Sequence, residues 1–354
     1  MTECLNIFPL KHAAVFLSML LIFFLTSSFA NAELQLGVTG HPFVQEGYKD
    51  ISIEEQLAKV QELGIKWYRT DWYGWAADNA RMPMVKEFIR QAESRGISVL
   101  PVIISPADLS KERMEDIYKK SFEFAQALAK AYGDSIRVWE LGNELDNFAI
   151  VRKGEITVDG EMWKHGVPDG SEPGFYEKSR YQKALAMLRG LSDGVRAVDN
   201  NAMTIINATY LHYGFLDLLM KDGLQFDVVG WHWYSDMGDL TGSVGNVNLL
   251  KRLSAYNKPI WITEFNRRNG SMGPNGEAEQ ASYLARELRK IASVSKDYGI
   301  GAIFVYELFD EPYFGSSSPE SHYGLVRIEK KSGKWTVGKR KQGYHALKAF
   351  IAEN

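Results

Sequence analysis

The chain has 354 residues, with 41 Lys plus Arg against 44 Asp plus Glu and a formal net charge of -3. Its 45% hydrophobic content excludes a disordered protein, and its near-neutral charge disfavours a nucleic-acid binder, which needs a clustered excess of basic residues. A single cysteine excludes a disulfide framework and a cysteine-rich metal module.

The N-terminal segment has the pattern of an export signal. Residues 13–32 carry no charged side chain, follow Lys11, and end in the small-residue motif Ala30-Asn31-Ala32. This pattern is typical of a secretory signal peptide, so we expect a signal peptide over 1–32, cleavage after Ala32, and a secreted or periplasmic protein. An uncleaved membrane anchor is the alternative, because about 20 apolar residues can span a bilayer. The single catalytic domain is expected to comprise 33–354.

Beyond that segment, apolar stretches of strand length alternate with amphipathic stretches of helix length. The predicted strands are 34–38, 65–69, 97–104, 136–141, 203–210, 226–233, 260–265 and 302–308. The predicted helices are 53–63, 82–94, 112–132, 181–198, 215–221, 247–256, 278–298 and 344–352. Most of these strands are continuous apolar runs, as in parallel strands buried on both faces. The series predicts an α/β fold, a single (β/α)8 TIM barrel.

An open doubly wound sheet is the alternative architecture. That fold would carry a glycine-rich phosphate turn after its first strand, whereas here the first strand leads into Gly40-His41-Pro42. Two connections are long, 146–180 after the fourth strand and 311–341 after the eighth, and each is predicted to contain a hairpin, at 156–163 and at 325–337. Such elaborations predict an extended groove and endo action, with exo action in a closed pocket as the alternative.

Two glutamates stand at the carboxyl ends of predicted strands. Glu144 follows the fourth strand, and Glu264 lies at the end of the seventh. In a barrel, active sites lie at this end, and the fourth and seventh strands face each other across it. A carboxylate pair is what glycosidic bond hydrolysis requires, one to protonate the leaving oxygen and one to attack the anomeric carbon or activate water. Structural ion pairs are the other reading of the two glutamates.

The motifs Gly142-Asn143-Glu144 and Ile262-Thr263-Glu264 resemble the acid/base and nucleophile motifs of the clan A retaining glycoside hydrolases. Arg69 and His232-Trp233-Tyr234 also fit this resemblance. Within the clan, the chain is most similar to family 39-like enzymes, which include bacterial exopolysaccharide glycosidases, and families 5 and 79 are alternatives. The chain departs from the pattern at strand eight, where Tyr306 and its neighbours replace a common Trp. It also has Leu-Asp instead of the commoner Pro-Asn after Glu144.

This resemblance implies hydrolysis of the O-glycosidic bonds of a poly- or oligosaccharide by double displacement. Glu264 is the expected nucleophile, Glu144 is the expected acid/base, and Asn143 is expected to bind the sugar 2-hydroxyl. A carbohydrate is the only partner expected, without a cofactor, a metal, nucleic acid or lasting membrane insertion. The expected substrate-binding residues are Arg69, Asn143, His232, Tyr234, His41, Trp72, Trp75, Trp233, Tyr306 and Glu307.

Several of these residues have a structural alternative. Arg69 could form an ion pair with Glu140 on the fourth strand, and the tryptophans could pack in the core instead of stacking on sugar rings. Two other function classes are also open. A catalytically inactive sugar-binding barrel would keep the motifs without the activity. A metal-dependent barrel hydrolase would use as ligands His41, His212, His232 and Asp310.

Overall fold

The computed structural model describes residues 33–353, so the predicted signal peptide lies outside the described residues. Eight parallel strands form a closed barrel in sequence order, which confirms the predicted fold class. They are β1 (Gln35–Thr39), β2 (Trp67–Trp72), β3 (Ser98–Ile103), β4 (Val138–Leu141), β5 (Met203–Thr209), β6 (Val228–Tyr234), β7 (Ile260–Asn266) and β8 (Ile300–Val305).

All eight predicted helices are present, and residues 33–353 also contain two helices of five residues each, which are too short for a periodic pattern to reveal. The helices are α1 (Glu46–Asp50), α2 (Ile53–Leu63), α3 (Met82–Glu93), α4 (Met114–Tyr132), α5 (Leu145–Ala149), α6 (Lys178–Arg196), α7 (Tyr213–Lys221), α8 (Leu249–Ser254), α9 (Gly276–Tyr298) and α10 (Gln342–Glu353). Within residues 33–353, no helix has the length and apolar character needed to span a bilayer.

The barrel interior changes from apolar to polar along the strands. Val138 of β4 and Ile205 of β5 belong to a buried apolar cluster. Two residues further on, the same faces present Glu140 and Asn207, both buried. Because side chains on one face of a strand recur every second residue, each strand contributes to both layers. The apolar layer supports the polar layer, which lies at the carboxyl ends of the strands.

The connection after β8 contains the predicted hairpin. Its strands are β9 (Val326–Lys331) and β10 (Lys334–Arg340), which pair antiparallel. Ser332 and Gly333 form the turn with φ of 51° and 83°, the left-handed values that a tight two-residue hairpin turn requires. This confirms the hairpin predicted from the sequence.

The connection after β4 has less regular structure. Ile156 and Met162 form an isolated antiparallel bridge. Gly160 closes the turn with a φ of 87° and donates a 2.9 Å hydrogen bond to the Thr157 carbonyl. The hairpin predicted at 156–163 therefore has its turn, but the strands beside it are one bridge long.

Candidate active site

The carboxylate of Glu264 is held at both oxygens. Arg69 Nη1 donates to Oε1 at 2.9 Å, and the Tyr234 hydroxyl donates to Oε2 at 2.8 Å. The Glu264 side chain keeps 11% of its surface exposed, whereas that of Arg69 keeps 1%. Arg69 on β2 and Tyr234 on β6 thus fix the orientation of the Glu264 carboxylate on β7. Part of the Glu264 side chain remains exposed to the cleft.

Arg69 also forms a buried ion pair with Glu140. Its Nε and Nη2 atoms donate to the two carboxylate oxygens at 2.6 and 3.3 Å. Burial alone would raise the pKa of Glu140, but Arg69 and His232 outweigh it and lower the pKa to about 2. Arg69 Nη2 also donates to Asn143 Oδ1 at 3.1 Å. The prediction that Arg69 binds substrate is therefore corrected, because its guanidinium is buried and its N–H groups point to these protein acceptors.

The backbone at Glu144 is unusual. Glu144 has φ 46° and ψ 45°, a left-handed conformation that is uncommon for a residue with a Cβ and that stores strain. Its N–H donates to Asn207 Oδ1 at 2.8 Å. Asn207 Nδ2 donates in turn to Glu140 Oε1 at 2.7 Å and to the Gly142 carbonyl at 3.1 Å. Asn207 was not predicted to belong to the site, although an amide within an otherwise apolar buried strand was a usable signal.

The Glu144 side chain is more exposed than that of Glu264, at 29%. His232 Nδ1 lies 2.9 Å from its Oε1, and Asn147 Nδ2, from α5, donates to its Oε2 at 2.9 Å. His232 Nδ1 also lies 3.6 Å from Glu264 Oε2. One side-chain atom each of Glu144, His232 and Glu264 lies within 4.8 Å of the other two. The two glutamates therefore converge on one cleft, as predicted from their strand ends.

These contacts set the charges of the cluster. Burial opposes a charge on His232, but Glu264, Glu140 and Glu144 outweigh it and raise the pKa of His232 to about 10. Burial raises the pKa of Glu144, but the hydrogen bond and the charge of His232 outweigh it, so the net shift is downward. At neutral pH, the free protein therefore has a His232 imidazolium beside the carboxylate of Glu144.

Tyr306 follows β8 at the edge of the same cleft. Its ring centroid lies 5.8 Å from that of His41 and 6.4 Å from that of Tyr234. Its hydroxyl donates to Glu320 Oε2 at 3.0 Å. Glu320 comes from the connection after β8 and is a residue that the sequence reasoning missed, since nothing in that loop's pattern distinguishes it.

His41 and Glu307 form a second buried group. His41 Nδ1 lies 2.5 Å from Asp71 Oδ2, and Glu307 accepts a 2.9 Å hydrogen bond from the Tyr48 hydroxyl. Burial opposes the charge of His41, but Asp71 and Glu307 outweigh it and raise the pKa of His41 well above its ordinary value. Glu307 is fully buried, so the prediction that it binds substrate is corrected: it contacts other side chains rather than the cleft.

Comparisons with known proteins add a family match to this geometry. Residues 183–296 match the model of the glycosyl hydrolase catalytic core. This match covers part of the chain and supports a glycosyl hydrolase. No curated protein sequence was found to match the chain.

Three solved structures share the fold of this chain. The β-glycosidase BGL167 has a TM-score of 0.63 at 15% identity, over 90% of this chain and 96% of that one. A family 39 glycoside hydrolase from Bacteroides cellulosilyticus has a TM-score of 0.61 at 18% identity, over 91% and 64%. The β-glucosidase from Thermotoga maritima has a TM-score of 0.63 at 14% identity, over 90% and 98%.

Two of the tryptophans predicted to stack on sugar rings are core residues. Trp72 and Trp233 are fully buried. The ring centroids of Trp72 and Trp139 lie 6.2 Å apart, and Trp233 Nε1 donates to the Gly238 carbonyl at 3.1 Å. A buried ring cannot stack on a sugar, so both predictions are corrected. Trp75 is half-buried, and its ring centroid lies 5.1 Å from that of Phe43.

The four residues of the alternative metal-dependent hydrolase lie in separate networks. His212 Nδ1 is 2.6 Å from Asp146 Oδ2, and Asp310 Oδ1 is 2.7 Å from Lys341 Nζ. Within residues 33–353, His41 and His232 each belong to a different potential ligand group. The proposed ligand set is therefore corrected, because it does not come together.

Proposed function

We propose that the protein is a secreted glycosidase that cleaves the O-glycosidic bonds of a poly- or oligosaccharide with retention of anomeric configuration. Glu264 is the nucleophile and Glu144 the acid/base. One observation carries this proposal: an oxygen of Glu144 and an oxygen of Glu264 lie within 4.8 Å of each other. Retaining enzymes place the two carboxyl groups about 5 to 5.5 Å apart, whereas inverting enzymes need about 6.5 to 9.5 Å to admit a water molecule.

In the first displacement, an oxygen of Glu264 attacks the anomeric carbon and the bond to the leaving oxygen breaks. Glu144 donates its proton to that oxygen. Arg69 and Tyr234 hold the Glu264 carboxylate on either side, so the nucleophile reaches the sugar in one orientation. Such preorganisation lowers the barrier because little rearrangement remains for the reaction step.

In the second displacement, Glu144 takes a proton from water, the water oxygen attacks the anomeric carbon, and Glu264 leaves as a carboxylate. The negative charge of Glu264 is absent in the glycosyl-enzyme, which lowers the proton affinity of Glu144 for the return step. His232 Nδ1 lies close to both carboxylates, so each change in the charge of Glu144 or Glu264 alters the electrostatic environment of the imidazole.

An oligomeric substrate is supported by the surroundings of the cleft. A cavity of about 390 Å³ adjoins Asn143 and is also lined by Tyr73, Ser105, Asp108 and Leu145. This space suits a further sugar residue beside the bond to be cleaved, and we propose endo action on this basis. Secretion is proposed from the apolar segment that ends in Ala30-Asn31-Ala32.

The experiment is a glycan screen of the wild type beside Glu264→Gln, with the anomeric configuration of the first product read by NMR. We expect a retained configuration in the wild type and loss of activity in the variant. Glu123→Gln, an exposed substitution on α4, is the matched control. A first product of inverted configuration, or activity that survives Glu264→Gln, contradicts the mechanism. Binding of glycans by the wild type without hydrolysis indicates an inactive sugar-binding barrel.

Azide separates the roles of the two glutamates. In Glu264→Ala, azide can enter the vacated space and displace the leaving group once, giving a glycosyl azide of inverted configuration. In Glu144→Ala, azide attacks the glycosyl-enzyme and gives a product of retained configuration. The opposite pairing of variant and product would exchange the two assignments. If monosaccharides are the main product from the start of the reaction, endo action is overturned.

A further inference from the structure

A buried group outside the catalytic pair has the composition of a metal site. His41 follows β1, and Glu307 and Glu311 follow β8. One nitrogen or oxygen atom from each lies within 4.8 Å of the other two, and the three residues are 5%, 0% and 1% exposed. We propose that the His41–Glu307–Glu311 cluster binds a Zn²⁺ ion. This site is separate from the proposed function of Glu144 and Glu264.

The orientation of the His41 imidazole is the first argument. Its Nδ1 lies 2.5 Å from Asp71 Oδ2, so this nitrogen is paired with a carboxylate. Its Nε2 lies 3.2 Å from Glu307 Oε2 but forms no hydrogen bond there, and it is buried without another partner among the described residues. A histidine that ligates a metal commonly donates its second ring N–H to a carboxylate, which fixes the tautomer and aims the other nitrogen at the ion.

The carboxylates supply the second argument. The Tyr48 hydroxyl donates to Glu307 Oε2 at 2.9 Å, and the Tyr313 hydroxyl donates to Glu311 Oε1 at 2.8 Å. Glu307 Oε1 is buried and has no hydrogen-bond partner in the part of the chain that the structure describes. A buried polar atom without a partner carries its full desolvation cost, and a bound cation removes that cost.

The charges near the cluster point the same way. Among the ion pairs of residues 33–353, Glu307 has His41 as its partner and Glu311 has none, so no Lys or Arg neutralises either carboxylate. A buried carboxyl group without a cationic neighbour either holds a proton or coordinates a metal ion. A divalent cation would balance two carboxylates and leave His41 neutral, with its proton on Nδ1 toward Asp71.

The donor set fits Zn²⁺. One imidazole nitrogen and two carboxylate oxygens suit Zn²⁺, which takes such ligands at about 2.0 to 2.2 Å. Tetrahedral ligands at that distance lie about 3.4 Å apart, so binding draws the three side chains closer together. Asp71 and His41 retain 16% and 6% of their side-chain surface, so the cluster is not fully closed to solvent.

Binding there would join two parts of the barrel mouth. His41 belongs to the connection after β1, whereas Glu307 and Glu311 flank the start of the connection that carries Glu320. Since Glu320 accepts the Tyr306 hydroxyl beside the cleft, the ion would hold this wall of the cleft in place.

The test is equilibrium dialysis of chelator-treated full-length protein against ZnCl₂, with the metal content measured by mass spectrometry and the unfolding temperature by calorimetry. We expect one Zn²⁺ per chain and a raised unfolding temperature. Glu311→Gln should weaken binding at least tenfold, and Asp71→Asn, which keeps all three ligands, about 10- to 100-fold. Glu329→Gln, an exposed carboxylate on β9 in the same connection, should bind as the wild type does.

Two further readouts keep the outcomes distinct. Co²⁺ bound in place of Zn²⁺ should show the visible absorption of a four-coordinate site in the wild type and in Glu264→Gln, but not in Glu311→Gln. Circular dichroism of the metal-free variants establishes that each one folds. Absence of Zn²⁺ binding by the folded wild type overturns the proposal, and so does binding that is lost in Glu264→Gln and kept in Glu311→Gln. Neither outcome bears on glycoside hydrolysis, which the glycan screen tests by itself.

Discussion

His232 Nδ1 lies 2.9 Å from Oε1 of Glu144, so the proposed acid/base is hydrogen-bonded to a buried imidazole. The two side chains stabilise each other's opposite charges. The pKa of His232 is raised to about 10, and His232 lowers the pKa of Glu144 against the effect of burial. An acid that must be protonated to act is therefore kept ionised by its neighbour. The pH dependence of catalysis should therefore change when His232 is replaced.

Replacement of His232 by Gln should move the alkaline limit of kcat/KM to higher pH. Without the imidazolium, Glu144 keeps its proton to higher pH, and the removal of one nearby opposite charge raises such a pKa by about 1 unit or more. The maximal rate should fall, because a contact with both carboxylates is lost. A pH profile of His232→Gln beside the wild type measures the shift, and His345→Gln, exposed on α10, is the control. An unchanged or lowered alkaline limit contradicts the assignment.

Replacement of Tyr234 by Phe should lower kcat about 10- to 100-fold with little change in KM. The substitution removes the hydroxyl that holds Glu264 Oε2, and a hydrogen bond to a charged group contributes about 1.5 to 3 kcal/mol. Steady-state kinetics give the separation of kcat from KM. The control is Tyr323→Phe, whose ring lies 5.6 Å from that of Tyr234. Equal losses in the two variants would indicate a packing effect.

Replacement of Glu140 by Gln should destabilise the fold by about 3 kcal/mol, because breaking a buried ion pair leaves Arg69 less compensated. The pKa of Glu140 is lowered from 4.5 to about 2 on folding. Its stabilising contribution is therefore fully present above about pH 4.5 and is lost as the pH falls through about 2. Denaturant unfolding between pH 7 and pH 3 should show a smaller dependence on pH in the variant. Glu87→Gln, which breaks an exposed pair with Arg90, should leave the midpoint unchanged.

Replacement of Asn207 by Ala should lower kcat/KM about tenfold or more. Asn207 holds the N–H of Glu144 and therefore the position of the acid/base carboxylate. Kinetics with substrates of different leaving-group acidity locate the defect, since good leaving groups need little protonation and should be spared. Asn201→Ala, exposed before β5, is the control. A loss that is equal for all leaving groups would place the role of Asn207 elsewhere.

The barrel could be predicted because each strand is a continuous apolar run and each long helix has an amphipathic period. Glu144 and Glu264 could be placed for the same reason, since strand ends of a barrel meet at one face. The two misassigned tryptophans follow from alternation along a strand. Trp233 lies between His232 and Tyr234, which both reach the catalytic cluster, so its own side chain points to the opposite face.

The residues that the sequence did not reveal depend on long-range contacts. Asn147 lies on a helix of five residues, and Glu320 on a loop, so neither belongs to a periodic pattern. Arg69 illustrates the converse: its position was predicted, but its partners decide whether it binds substrate or protein. Only the geometry shows its guanidinium shared between Glu140 and Glu264.

The left-handed backbone at position 144 sets stability against activity at a single residue. A conformation with φ of 46° costs a residue with a Cβ about 1 to 2 kcal/mol, whereas glycine adopts it freely. Selection for thermal stability alone would therefore replace Glu144 with Gly, and selection for turnover would restore it. A Glu144→Gly protein should be more heat-resistant than the wild type and slow enough to hold an uncleaved glycan for structure determination.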